Sequence, residues 1–181
     1  MTKSRIFVPA ILAALSLLLN LVWVFTIQPF LAPDEPEHLM TVREIQRKHI
    51  LPELHFDFTT NPRGVPVPTF DDPPFTDAVQ QVLGTGARHQ ISFESVQPPF
   101  YYITAALASW PVSDNVLAQL YVCRIVSAIF GMLTILFIWA TIRELSPSSP
   151  RLALFCATTL LFLPQFTFNS SYAANDAALN A

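Results

Sequence analysis

From Ile6 to Ile27 the chain reads IFVPAILAALSLLLNLVWVFTI, without one charged residue. At about 1.5 Å per residue such a helix spans roughly 33 Å, enough to cross about 30 Å of hydrocarbon. The apolar region is longer than the roughly 7 to 15 residues of a cleaved signal peptide, and no small-x-small cleavage pattern follows it. It therefore reads as an uncleaved transmembrane helix, with Lys3 and Arg5 holding the N-terminus on the cytoplasmic side. Composition agrees: 52% of residues are hydrophobic and 13% charged, a balance of a membrane protein rather than of a water-soluble core.

The charge is unevenly spread. Ten of the thirteen Asp and Glu, all four His and eleven of the sixteen Pro fall within residues 29–99. Proline at that density prevents long regular structure. One helix is predicted there even so, over residues 36 to about 51, where Leu39, Val42, Ile45 and Ile50 recur at roughly helical spacing. Its opposite face carries Arg43, Glu44, Arg47 and Lys48, so it is expected to lie as an amphipathic helix on the membrane surface. A short helix is expected around residues 77–83. Gln97-Pro98-Pro99-Phe100-Tyr101-Tyr102 then opens a second interfacial stretch ending at Trp110, its aromatics matching a membrane-boundary belt.

Residues 116–142 predict a second span, interrupted in character only by Arg124, and residues 152–168 a third. Between them lie Arg143 and Arg151, which suit the cytoplasmic side. The expected architecture is an all-α polytopic membrane protein. It has three transmembrane helices (about 6–28, 116–142 and 152–168), the start of a fourth, and a large extracytoplasmic first loop (about 29–115) carrying interfacial amphipathic helices. The chain stops at Ala181, where the fourth helix would be starting, so it reads as the N-terminal part of a larger protein.

This topology places Asp34 and Glu35, after the first span, on the same membrane side as Asp176, after the third. In Pro33-Asp34-Glu35-Pro36-Glu37-His38 a carboxylate can serve as general base toward a hydroxyl or amine, or bind a divalent cation. The competing role for Asp34 is a helix cap. His38 can share the face of the two acids and orient a carboxylate or bind phosphate, or be an ordinary interfacial histidine. Arg124 is an ionisable residue inside a span, a candidate for a lipid-linked phosphate; the alternatives are snorkelling or pairing with Asp114 or Asp176. Asn175-Asp176 also suits a helix cap.

Other chemistry finds little support. A net charge of −3 offers no basic patch for nucleic acid. Cys123 and Cys156 lie in apolar runs and predict no disulfide framework. His49, His55 and His89, with Asp57, Asp71 and Asp72, lack metal-ligand spacing, so no metal is assigned to them. Phosphate loops, nucleophile elbows and HExxH motifs are absent.

The order of Pro-Asp-Glu-Pro-Glu-His after a first span, Gln-Pro-Pro-Phe-Tyr-Tyr, Cys-Arg-Ile-Val-Ser in a second span and Asn-Asp-Ala after a third resembles the start of a GT-C fold glycosyltransferase. Within that group the chain is similar to a bacterial family of predicted membrane proteins of unknown function, and more distantly to protein O-mannosyltransferases and the aminoarabinose transferases of lipid A. The resemblance implies that residues 1–181 are the N-terminal part of one GT-C-like transmembrane domain in the bacterial inner (cytoplasmic) membrane. It further implies a polyprenyl-phosphate-linked sugar as donor and a cell-envelope glycan or lipid as acceptor outside the cytoplasm. Asp34 would be the catalytic base or acceptor-binding acid, Glu35 its neighbour, Asp176 the second-loop acid, and Arg124 a donor-phosphate ligand. GT-C enzymes usually have many more spans, so this portion alone is expected to lack part of its donor site. The alternative is a non-catalytic membrane subunit or interaction protein of envelope-polysaccharide assembly. A transporter fits least, because the spans carry no acid in mid-membrane.

Overall fold

The structure is a computed structural model that describes residues 3–48, 58–60, 66–68, 72–84 and 97–179. Among the described residues the regular structure is helical apart from one antiparallel ribbon of two three-residue strands, β1 (Phe58–Thr60) and β2 (Pro66–Pro68). The helices are α1 (Lys3–Thr26), α2 (Glu35–Lys48), α3 (Pro73–Leu83), α4 (Phe100–Ser109), α5 (Val116–Leu145), α6 (Pro150–Leu161), α7 (Pro164–Asn169) and α8 (Asp176–Leu179). Two compact units result. One joins Met1–Thr26 to Arg124–Ala181, the other is Ile27–Cys123, and the division falls within α5.

Among the described residues two helices, over Phe7–Thr26 and Val116–Leu145, are long and apolar enough to cross a membrane. The side chains of α1 sort into two stripes. Phe7, Ile11, Leu15, Leu18, Val22 and Phe25 are exposed at three- and four-residue spacing, while Leu12, Ser16, Asn20 and Val24 form a buried stripe one turn apart. That stripe meets the rest of its unit. Leu12 packs with Ile135 of α5 and Ala157 and Leu161 of α6, and Asn20 Nδ2 donates to the Ala128 carbonyl at 3.3 Å. Gly131 permits a close approach in the same unit: a Cβ there would lie 2.5 Å from the Ser170 Cβ.

The third span is not one helix. α6 has 12 residues, about 18 Å by helical rise and short of a bilayer core. Pro164 provides the reason. It has no N–H to continue the ladder and disfavours helical backbone at the residue before it, and Leu163 is extended (φ −77°, ψ 110°) before α7 restarts at Pro164.

The second unit corrects the expected surface helix. The predicted helix forms as α2, and residues 49–51 lie outside the described residues. Yet Glu35, His38, Leu39, Met40, Thr41, Val42, Arg43 and Gln46 are all buried. α2 is therefore a packed internal helix, not an amphipathic one resting on a surface; on the expected charged face Arg43 is buried, Glu44 half-buried and Arg47 exposed. The short helix expected near residues 77–83 begins earlier, as α3, because Asp72 precedes Pro73 and Pro74 in the first turn and its Oδ1 accepts the Phe75 N–H at 3.4 Å.

Candidate functional site

Just before α2 the backbone takes an unusual path. Phe30 (φ 64°) and Asp34 (φ 53°) both occupy the left-handed region. Aspartate tolerates that conformation, whereas for a bulky aromatic it is an outlier. Two contacts hold Phe30 in place: its ring sits edge-on to Phe75 at 6.4 Å, and its N–H donates to Glu35 Oε2 at 3.0 Å. The neighbouring acids thus face opposite surroundings. Glu35 is 0% exposed, and Asp34 is exposed.

The Asp34 backbone carbonyl accepts the His38 N–H at 3.0 Å and so starts α2. Its side chain does something else. A capping residue has extended backbone and turns its side-chain oxygen onto the first helical N–H groups. At φ 53° Asp34 departs from that geometry, and among the described residues its carboxylate accepts no hydrogen bond. The helix-cap role is carried by its backbone alone, leaving the carboxylate available at the surface.

His38 is 5% exposed, and its Nδ1 lies 2.9 Å from the Tyr102 hydroxyl with the two rings stacked. Burial pushes its pKa down to about 4, against the opposing pull of the Asp34 and Glu37 charges. At neutral pH the ring is uncharged, so it has no Coulombic attraction for phosphate. Tyr102 is the partner that sequence reasoning missed, since its aromatic cluster reads equally as a membrane belt. Tyr101 is also buried, its hydroxyl donating to the Cys123 carbonyl at 3.3 Å.

A second polar cluster in this unit was not anticipated. Arg43 Nε and Nη2 donate to the two carboxylate oxygens of Asp72, at 2.6 and 3.3 Å. Arg43 Nη1 donates to the Ser113 carbonyl at 3.0 Å and to Gln119 Oε1. Gln119 continues to Gln46 at 2.6 Å, and Gln46 to the Ala106 carbonyl and Ser109 Oγ. Every charged or amide group named here has a partner, so the cluster ties α2, α3, α4 and α5 together without presenting a reactive atom. The Asp-Pro-Pro helix start at Asp72 was the available signal for part of it.

No family model, curated protein or solved structure matches this chain. The remaining sequence candidates are placed as follows. Arg124 is 0% exposed and its Nη1 donates to the Val24 carbonyl at 2.8 Å, in the last turn of α1 where carbonyls lack helical partners. Asp176 is exposed and opens α8, where the preceding Asn175 carbonyl accepts the Ala178 and Leu179 N–H groups. Asp34 and Asp176 belong to different units. His49, His55, His89, Asp57 and Asp71 lie outside the described residues. No group of three or more His, Cys, Asp or Glu is arranged to hold a metal among the described residues.

Proposed function

We propose that this chain forms part of a membrane glycosyltransferase that moves a sugar from a polyprenyl-phosphate donor to a cell-envelope glycan or lipid acceptor outside the cytoplasm. The observation that carries the proposal is the Asp34 carboxylate, exposed and without a hydrogen bond among the described residues on a left-handed turn just beyond an apolar helix. In the reaction Asp34 takes the proton of the acceptor hydroxyl as that oxygen bonds to the sugar anomeric carbon. The bond from that carbon to the phosphate oxygen breaks, and polyprenyl phosphate leaves with the electron pair. Arg124, tied to the end of α1, fits a helix-capping role better than a phosphate ligand, so the proposal rests on Asp34.

In this view α1 and α5 cross the inner membrane with the N-terminus in the cytoplasm, and α6 with α7 supplies a third crossing as a broken helix. Backbone freed by such a break is tolerated in a bilayer where protein covers it. The test is Asp34→Asn in the full-length protein, assayed for transfer from a polyprenyl-phosphate sugar. Loss of about 100-fold or more is expected for a general base. Retained transfer ends the proposal, and retained envelope function with a stably bound enzyme partner replaces it with a non-catalytic subunit.

A further inference from the structure

Adjacent acids in one motif invite the same assignment, but their surroundings here differ in kind. Glu35 is fully buried, and its carboxylate reaches back five residues to the N–H of Phe30. That N–H belongs to one of the two left-handed residues of the turn, and Asp34 is the other. An aromatic residue held at positive φ relaxes unless its surroundings oppose it. The Glu35 hydrogen bond and the Phe75 ring are two such constraints, and both act on the first end of the segment whose last residue carries the exposed carboxylate.

From this geometry we infer that Glu35 is a positioning residue, which fixes the Phe30 to Asp34 turn so that the Asp34 carboxylate is presented outward. The inference rests on the reading of Asp34 as the reacting group. It divides the acidic pair into one residue that meets substrate and one that holds its neighbour. For the hold on Phe30, the property required of residue 35 is reach with an accepting oxygen. A glutamine supplies that reach without charge, and an aspartate supplies charge one methylene too short.

Glu35→Gln and Glu35→Asp in the full-length protein, reconstituted in bilayer nanodiscs, separate the two requirements. Two readouts are taken on each: hydrogen exchange at the Phe30 amide, and kcat and KM for transfer from a polyprenyl-phosphate sugar. Glu35→Gln is expected to keep Phe30 protected and to retain kcat. Glu35→Asp is expected to exchange Phe30 about tenfold faster, the equivalent of one lost hydrogen bond. Its kcat should fall by about 100-fold, as misplacement of a reacting group does, with KM little changed. Collapse of kcat in Glu35→Gln with Phe30 still protected would mean that the carboxylate itself takes part in the chemistry. That result overturns the inference, as does a Phe30 amide still protected in Glu35→Asp. If Asp34→Asn transfers normally, the glycosyltransferase proposal fails, whereas the hold of Glu35 on Phe30 is still decided by the exchange data alone.

Discussion

α2 carries two charged clusters, near its first turn and near its last, and they are built in opposite ways. Around Arg43 and Asp72 the charges are buried and each guanidinium nitrogen named above has an acceptor. Around Asp34 the backbone is in a costly conformation and the carboxylate faces outward without a hydrogen bond among the described residues. Residue type does not distinguish the clusters, since both pair acids with a base. What separates them is satisfaction: a closed network stabilises a fold, while strain next to an available polar group is the arrangement found at functional sites.

The contrast is broken most directly by exchanging effects between the clusters. Arg43→Ala leaves Asp72 as a buried charge stripped of its bidentate partner and should cost about 3–5 kcal/mol of stability. Asp34→Asn should stay within about 0.5 kcal/mol of the parent. Unfolding in detergent micelles measures both, and equal losses would erase the distinction. The next largest effect concerns pH. His38 titrates near 6.5 when unfolded and about 4 when folded, so between those values the unfolded chain binds the extra proton. Stability should thus be full above about pH 6.5 and fall on the order of 3 kcal/mol as pH drops to about 4. His38→Gln should flatten that segment of the pH profile, and an unchanged profile would place the titration elsewhere.

Smaller effects sharpen the same contrast. Asp34→Gly removes the Cβ that opposes φ 53° and should raise stability by about 1 kcal/mol while abolishing transfer. A loss of stability there would show that the carboxylate serves the fold after all. Arg47 approaches the same Asp72 at 3.4 Å, but its side chain is half exposed. Arg47→Ala should change stability by less than about 0.5 kcal/mol, an order below Arg43→Ala, when measured by the same unfolding curves.

Some of this was legible in the residues. α1 and α5 follow from long apolar runs, the second broken up to residue 142 only by Arg124, and α2 from the periodicity of Leu39, Val42 and Ile45. The break at Pro164 could have been read from its missing N–H, but hydropathy averaged over residues 152–168 hides it. The pairing of Arg43 with Asp72 could not, since 29 residues separate them and nothing local specifies which distant acid a helix-borne arginine will meet. The same holds for His38 and Tyr102, 64 residues apart.

Composition and order alone determined that this chain has helices able to cross a membrane and that an acid cluster follows the first of them. Those properties depend on transfer free energy summed along contiguous residues, which needs no knowledge of distant partners. Only the folded chain decided that Glu35 points inward and Asp34 outward, that His38 is neutral, and that Arg43 belongs to the interior. Side-chain direction and pKa depend on backbone dihedrals and on neighbours brought together from remote parts of the chain.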